Sequence, residues 1–347
     1  EISIGKSSEA QIAASMGIYD DPKLEAYVER IGLEMARRSE RPHLPWQFRV
    51  VDDPLVNAFA VPGGFIYVTR GILAHMNSEA ELASVLGHEV GHVTARHSAS
   101  QYSKQMGAQL LIIPTMVLVP ELQQAGQLIG AGMQLLFLKY GRDDERQSDE
   151  LGLRYMTQSG YAPDQMVRMF RTLSRTSKAS GGGGPPEWLS THPDPANRAQ
   201  LIQAQIDQLP PGSGEGRVGA KEFLALLDGM VYGKDPRQGF FSQDNAFHHP
   251  EMKFRVNFPP GWRTQNSRQA VAAINESQDA ILQLTLAQAN TAAEAAQAFA
   301  SEQGVQTSTP KATRMNGLQA STLEFAAAGQ QGNVRGIVGF VEHADLV

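Results

Sequence analysis

The sequence contains no cysteine, which excludes disulfide bonds, thiolate metal sites and cysteine nucleophiles. It has no run of like charges, and a formal net charge of −6 gives no basic field for nucleic acid. It also has no long hydrophobic run. The two longest apolar stretches, 108–119 and 128–138, are shorter than the roughly 20 residues of a membrane-spanning helix. We therefore expect a soluble protein without nucleic-acid partners, and contact with a membrane surface through 106–138 stays open.

The composition is that of a globular protein, and the length predicts two domains. The 347 residues are 41% hydrophobic and 19% charged, and this length exceeds that of a typical single core. A Pro/Gly-rich stretch at 209–216 predicts a linker between a domain at 1–208 and a smaller one at 217–347. Because the chain begins at Glu1 and not at Met, we expect a processed or trimmed product.

Residue periodicity predicts an α+β fold whose first domain is mainly helical, with a small sheet. Strands are predicted at 46–51, 57–61 and 65–69, the last two joined by a tight turn. Helices are predicted at 8–16, 22–38, 78–98, 142–159, 163–177 and 196–208, with broken helices over 103–139. The second domain has strand-like runs at 253–258, 270–274, 280–287 and 336–341 and a helix near 291–301.

One motif carries chemistry directly. His88, Glu89 and His92 form an HExxH sequence, and positions i and i+4 of a helix lie about 40° apart on one face. Both imidazoles can therefore reach one zinc ion. Zinc lowers the pKa of a bound water molecule toward ~7, and the neighbouring carboxylate of Glu89 can take its proton as the water attacks a carbonyl.

The rest of this helix fits a zinc helix packed in a core. Ser78 can cap its N-terminus, and Glu81 can complete a capping box. Apolar residues occupy the face nearly opposite the two histidines, namely Leu82, Leu86, Val90 and Val93. A continuous helix to residue 98 would place His97 on that apolar side, so we interpret His97 as a core or helix-end histidine.

A catalytic zinc takes three protein ligands and leaves one position for water. In the helix at 142–159, Glu145, Asp149 and Gly152 share one face. Glu145 can reach the metal, Asp149 can orient a ligand histidine, and Gly152 allows a close approach of the two helices. The alternative is a solvated acidic face. The HExxH motif upstream favours the metal site, one ion per chain.

These motifs together resemble family forty-eight of the metallopeptidases, a gluzincin family that includes HtpX, BepA and the CAAX prenyl proteases. The resemblance covers about residues 1–205. It extends to Asn57-Ala-Phe-Ala-Val-Pro-Gly-Gly64, Tyr67-Val-Thr-Arg-Gly71, Ser78-Glu-Ala-Glu-Leu82, Gly91-His-Val-Thr-Ala-Arg-His97 and Ser190-Thr-His-Pro193. The soluble BepA-like branch fits best. The resemblance implies zinc ligands at His88, His92 and Glu145, with Glu89 as the base.

The sequence departs from the family pattern at Gly141 and at Gln147-Ser148, none of which is a proposed ligand. It also has no helical repeats after the catalytic domain such as BepA has. That difference puts a shared partner or substrate in doubt.

Two further residues are candidates for the site. In BepA-like enzymes the histidine matching His192 can fill the open position of the zinc, and His192 also lies beside the four-glycine stretch 181–184. The alternative is a loop histidine that packs on Pro193. Arg198 can stabilise the oxyanion, pair with Asp149 or be a surface charge.

The hairpin at 57–69 is either an ordinary structural element or the strand along which an extended peptide substrate pairs. In the second domain, 253–262 resembles the opening strand of Mog1/PsbP-like domains, and we find no catalytic constellation there. His248 and His249 are neighbours and are expected to point apart.

The leading hypothesis is a zinc endopeptidase that hydrolyses unfolded or misfolded envelope proteins, held latent by His192. One alternative is a chaperone or assembly factor for outer-membrane proteins with a silent zinc site. Another is a zinc-stabilised structural module. The family resemblance implies the bacterial periplasm or cell envelope, with attachment as a lipoprotein in some members.

Overall fold

The computed structural model describes residues 1–110, 139–179, 187–268, 270–329 and 332–347. The chain divides into two compact units. The first contains Glu1–Ala108 and continues to Asp235, and the second contains Pro236–Val347. All but the first few residues of 106–138 lie outside the described residues, as does the four-glycine stretch. None of the described helices has the length and hydrophobicity needed to cross a membrane.

The first unit is mainly helical and contains one small sheet, as predicted. Its helices are α1 (Ile2–Met16), α2 (Pro22–Ala36), α3 (Arg70–Leu73), α4 (Glu79–Thr94), α5 (His97–Leu110), α6 (Arg142–Gln158), α7 (Asp164–Ala179), α8 (Glu187–Thr191), α9 (Pro195–Ile206) and α10 (Ala220–Leu226). Its strands are β1 (Gln47–Val51), β2 (Ala58–Val61) and β3 (Phe65–Thr69).

The sheet has the order β1-β3-β2, with β1 parallel and β2 antiparallel to β3. The β2–β3 turn contains Gly63 and Gly64, whose φ angles of 98° and 102° favour glycine. The strand β2 is at the edge of this sheet and contacts α4. The hairpin therefore lies against the helix that carries the HExxH motif.

Helix α4 crosses the centre of the first unit, and Glu79 through Val93 are all buried. Ser78 caps the helix by accepting from the amide of Glu81 at 3.2 Å. The Glu81 carboxylate accepts from the amide of Asn77 instead of that of Ser78, so the expected capping box takes a different form. The helix ends at Thr94, before the predicted residue 98, because Arg96 adopts a left-handed φ of 63° and α5 begins at His97.

The predicted boundary between the domains requires a correction. Residues 217–235 belong to the first unit, although we assigned them to the second domain. The carbonyls of Val218 and Gly219 accept from the amides at the start of α4, at 3.1 and 3.4 Å. Phe223 of α10 is fully buried in the first core. The Pro/Gly-rich stretch 209–216 is a surface loop within the unit, since such composition marks a loop and does not by itself mark a domain boundary.

Within the described residues 236–268, 270–329 and 332–347, the second unit contains three antiparallel sheets and one α-helix. They are β4 (Phe240–Phe241), β5 (Ala246–His249) and β6 (Phe254–Asn257); β7 (Arg263–Asn266), β8 (Ala270–Ile274) and β9 (Ile281–Thr285); and β10 (Val305–Thr307), β11 (Lys311–Met315), β12 (Leu318–Gly329) and β13 (Gly332–Val341). Helix α11 (Ala292–Ala300) packs on β12 and β13. The four predicted strand runs and the helix are confirmed, whereas β4, β5, β7, β10, β11 and β12 were not predicted. In β12 the small residues Ala326–Gly329 weaken the strand pattern.

Candidate active site

Four side chains from three parts of the first unit converge on one point. His88 and His92 come from α4, Glu145 comes from the first turn of α6, and His192 follows α8. One nitrogen or oxygen from each residue lies within 4.8 Å of the others. All four residues are at most 2% exposed. This is the only such group of histidines and acids within the described part of the chain.

The spacing of the four residues fits a metal ion. The Nε2 atoms of His88 and His92 are 3.0 Å apart, and the Oε1 atom of Glu145 is 3.3 Å from Nε2 of His92. The Nδ1 atom of His192 is 3.2 Å from Nε2 of His88 and 2.9 Å from Oε1 of Glu145. Four donors bound to one zinc ion at about 2.0–2.1 Å in a tetrahedron are about 3.3 Å apart. Four of the six separations among these donor atoms are near that value, and all lie within 4.8 Å, so the cluster can hold one metal ion.

The protonation states also suit a metal. Burial, together with the neighbouring imidazole of His88, lowers the pKa of His92 well below its ordinary range. Burial likewise lowers the pKa of His192. Burial alone would raise the pKa of Glu145, but the neighbouring His192 and Arg198 hold it well below the usual value. The imidazoles of His92 and His192 are thus neutral at pH 7 and Glu145 is ionised, which are the forms that coordinate metals.

Glu89 lies beside this cluster and is completely buried. Its Oε1 atom is 3.7 Å from Nε2 of His192. Within the described residues, neither carboxylate oxygen of Glu89 has a hydrogen bond of normal geometry. Burial, reinforced by the charge of Glu145, raises the pKa of Glu89 well above its ordinary value. A buried carboxyl group whose pKa is raised in this way is suited to accept and release a proton during catalysis.

Asp149 and Gly152 behave as their spacing from Glu145 predicts. The Oδ1 atom of Asp149 is 2.9 Å from Nδ1 of His88, the ring nitrogen that faces away from the cluster. A Cβ atom at Gly152 would lie 2.8 Å from the backbone nitrogen of His88. Helices α4 and α6 are therefore in direct backbone contact here, and this contact brings Glu145 to the two histidines.

Arg198 pairs with carboxylates, which was one of the three alternatives from the sequence. It is 5% exposed, and its Nε and Nη2 atoms donate to the two oxygens of Asp149 at 2.8 and 2.6 Å. Its Nη1 atom is 2.5 Å from Oε2 of Glu145. The guanidinium also lies over the rings of Phe170 and Trp188. A surface charge is thereby excluded, and all three nitrogens already face carboxylates.

His192 is held in the cluster by the short helix α8. Its ring stacks on Trp188 with 4.9 Å between centroids, and its amide donates to the carbonyl of Trp188 at 2.7 Å. The amide of Trp188 in turn donates to the carbonyl of Val56, just before the edge strand β2. All four residues of β2 are buried. The segment that carries His192 is thus attached to the strand beside α4.

The structure also adds residues that the sequence reasoning missed. Tyr140 stacks on His92 with 3.8 Å between ring centroids, and its hydroxyl is 3.1 Å from that of Ser98. The interpretation of His97 as a core or helix-end histidine is confirmed, because it is buried and begins α5, but its expected direction toward the apolar side is wrong. Because the chain reverses at Arg96, Nδ1 of His97 lies 3.1 Å from Nδ1 of His92. An early helix end was the signal that could have indicated this contact.

His248 and His249 do not form a metal site with other described residues. His248 stacks on Phe240, whereas Nδ1 of His249 accepts from the amide of Met252. The two neighbouring rings have different partners, as expected for adjacent residues on a strand.

An HExxH helix, a glutamate on a second helix and a buried acid beside them define a metallopeptidase site of the gluzincin type. Residues 22–206 match Peptidase family M48, and the chain belongs to this family of metallopeptidases.

Relatives of known name agree with this assignment. The chain is 30% identical over 219 residues to a "Beta-barrel assembly-enhancing protease" of Yersinia pestis, covering 61% of this chain and 45% of that protein. It is 32% identical over 193 residues to "Mitochondrial metalloendopeptidase OMA1" of Arabidopsis thaliana, covering 54% and 38%. It is 31% identical over 184 residues to the protein of that name in Schizosaccharomyces pombe, covering 52% and 53%. The chain thus spans about half the length, or less, of these relatives.

Proposed function

We propose that this chain is a zinc-dependent endopeptidase whose metal is held by His88, His92 and Glu145. The observation that carries the proposal is the convergence of these donor atoms within 4.8 Å of one another, with the buried carboxylate of Glu89 beside them. Two imidazoles and one carboxylate are a ligand set typical of catalytic zinc. This set also leaves a fourth position for a water molecule or a substrate.

The residues around the ion have distinct proposed roles. A zinc ion bound there supplies Lewis-acid chemistry, lowering the pKa of a water molecule and polarising the scissile carbonyl. Glu89 is the general base that takes the proton from the attacking water and then gives it to the leaving amine, and its raised pKa suits both steps. Asp149 holds the proton of His88 on Nδ1, which leaves Nε2 free for the metal.

We propose further that His192 keeps the enzyme latent. Its Nδ1 atom lies at 2.9–3.2 Å from donor atoms of Glu145 and His88, which is the place of a fourth ligand. A histidine there occupies the position that a water molecule needs. Activity then requires His192 to leave, and its contacts with Trp188 and with the carbonyl of Val56 through α8 must break together.

The proposed substrates are unfolded or misfolded polypeptides of a bacterial cell envelope. A strand-like segment can add to the edge of β2 by main-chain hydrogen bonds once α8 has moved, which favours extended chains with limited sequence selectivity. The printed name of the Yersinia pestis relative supports a role near outer-membrane protein assembly. A periplasmic location, with or without lipid attachment, belongs to this proposal.

The test is cleavage of casein by the zinc-loaded protein, with Glu89→Gln and His192→Ala measured in parallel. We expect weak activity in the wild type, none in Glu89→Gln and a clear increase in His192→Ala. His43→Ala is the matched control, because this histidine is exposed. Glu89→Gln that cleaves casein at the wild-type rate would refute the proposed chemistry.

The closed state of the site also favours a second candidate, a chaperone or assembly factor with a silent zinc site. Glu89 and His192 are 0% and 1% exposed, so this form has no accessible base. A chaperone would suppress aggregation of unfolded outer-membrane proteins equally well with Glu89→Gln, and His192→Ala would not cleave them. Cleavage by His192→Ala would exclude this alternative.

A further inference from the structure

The two ligand histidines of α4 have different partners on their outer nitrogens. Nδ1 of His88 faces the carboxylate of Asp149 at 2.9 Å. Nδ1 of His92 faces another imidazole, that of His97, whose Nδ1 is 3.1 Å away. His97 is 7% exposed and has no place in the chemistry described above. Nδ1 of a histidine can accept a hydrogen bond only in the neutral tautomer that carries its proton on Nε2.

The direction of this hydrogen bond follows from the proposed role of His92. Nε2 of His92 faces the cluster, so an ion bound there leaves the proton of the neutral ring on Nδ1. His92 must therefore donate, and Nδ1 of His97 must accept. The proton of His97 is then on Nε2, which lies 3.0 Å from Oε1 of Gln147. The acceptor at that end makes the chain of hydrogen bonds consistent.

The surroundings support the same assignment. The Oδ1 atom of Asp144 is 3.5 Å from Nε2 of His97, which favours the proton on that nitrogen. The hydroxyl of Ser148 is 3.2 Å from Nδ1 of His97, where it is a weaker second donor beside His92 because the nitrogen has one lone pair. Tyr140 stacks on the His92 ring and fixes its plane. The contact with His97 fixes the remaining freedom, the orientation of the ring within that plane.

We propose that His97 is a positioning residue of the metal centre: its Nδ1 atom accepts the Nδ1 proton of His92 and thereby aims Nε2 of His92 at the ion. This proposal rests on the proposed function only in taking His92 as a metal ligand. The left-handed turn at Arg96 is what brings His97 back to His92, three residues after α4 ends.

The test compares two substitutions with opposite properties. His97→Phe keeps the ring volume and removes both nitrogens, whereas His97→Asn is smaller and offers its Oδ1 atom near the position of Nδ1. The dissociation constant for zinc is measured by competition with a chelator. Loss of an outer partner weakens metal binding by about 10–100-fold, so we expect that loss in His97→Phe and a loss of less than about 5-fold in His97→Asn.

A merely structural role predicts the reverse order, because Phe preserves packing and Asn leaves a gap. Equal zinc affinity of His97→Phe and wild type, or a weaker affinity of His97→Asn than of His97→Phe, would overturn the proposal. Gln147→Ala is the control that removes the partner of His97 and leaves His97 itself in place. Gln147 is exposed, so water can replace its carbonyl, and we expect a change of less than about 3-fold.

A second measurement reads the tautomer in the wild type and uses a variant only to assign the signals. Long-range ¹H–¹⁵N spectra of the zinc-loaded wild type report the tautomer of each imidazole, and His97→Asn identifies the signals of residue 97. We expect the Nε2–H form for His97. The Nδ1–H form, or a doubly protonated ring, would contradict the proposal.

Zinc binding by His92→Ala separates a failure of this proposal from a failure of the proposed function. If wild type and His92→Ala bind zinc equally, the assignment of His92 as a metal ligand is wrong. If His92→Ala loses zinc and His97→Phe does not, only the proposed role of His97 is wrong.

Discussion

At Gly152, the methyl group added by substitution with alanine should push α6, which carries Glu145, away from α4, which carries His88 and His92. A Cβ atom there would lie 2.8 Å from the backbone nitrogen of His88 and 3.0 Å from the carbonyl carbon of Gly87. Ordinary contacts begin near 3.4 Å, so α4 and α6 must move apart by about 0.6 Å. Both neighbours are backbone atoms, and no side-chain rotation can relieve the overlap.

The effect on stability is smaller than the effect on the metal. Overpacking costs about 1–3 kcal/mol, but alanine in a helix interior is about 1 kcal/mol better than glycine. The free energy of unfolding should therefore fall by only about 0–2 kcal/mol. Metal sites tolerate about 0.2 Å, and a shift of about 0.6 Å between Glu145 on α6 and the histidines of α4 exceeds this. We expect Gly152→Ala to weaken zinc binding at least about 10-fold.

The assay is chelator competition for zinc, with chemical denaturation of the metal-free protein measured beside it. The matched control is Gly141→Ala, at the N-terminus of the same helix. Its Cβ atom would meet only an oxygen of Asp144 at 3.6 Å, and its φ of −75° suits any residue. We expect no more than about a 3-fold change in zinc affinity there. Wild-type zinc affinity in Gly152→Ala would refute the argument that direct backbone contact sets the site.

Three further predictions concern charge and metal. Arg198→Leu leaves the buried carboxylates of Glu145 and Asp149 without a partner, and the metal-free protein should lose about 3–5 kcal/mol of unfolding free energy, with Arg198→Lys intermediate. Removal of zinc by a chelator should lower the free energy of unfolding of wild type by about 2.7 kcal/mol when measured against free zinc at 100 times the dissociation constant, and a wild type indifferent to chelation would contradict a metal site. Burial raises the pKa of Glu79, but hydrogen bonds from Tyr27 and Tyr161 with nearby arginines outweigh it and hold the pKa below its ordinary 4.5. The stabilisation from the ionised carboxylate is therefore present above pH 4.5 and is lost as the pH falls through the lowered pKa. Glu79→Gln should be about 1–2 kcal/mol less stable than wild type at pH 7 and similar to it at low pH. A difference in denaturation midpoints that stays constant with pH would refute this prediction.

Much of the first unit was predictable because its signals are local. Asp21 caps α2 through two backbone amides, and Pro22 follows at the first helical position. The alternating residues of β2 and β3 flank glycines that need a positive φ. Such features depend on a few consecutive residues, and most of the predicted helices and strands lie within a few residues of their predicted bounds. Helix α1 begins six residues earlier than predicted, and the short helices α3, α8 and α10 were not predicted. The domain boundary was misplaced because the hydrogen bonds of 217–219 join segments far apart in sequence.

The sequence by itself determined the chemistry of the site. The spacing of His88, Glu89 and His92 on one helix, and of Glu145 and Asp149 on another, is fixed by the helical repeat. It could not decide among the alternatives for Arg198 and His192 or predict the contact of His97, since each depends on where one segment packs against another. Only the tertiary structure buries Arg198 between two carboxylates, returns His97 to His92 and brings His192 to the other residues of the proposed metal site. The physical reason is that helical periodicity acts within about two turns, whereas packing joins Arg198 to Asp149 across 49 positions and His192 to His88 across 104. His97 is only five positions from His92, but α4 ends between them.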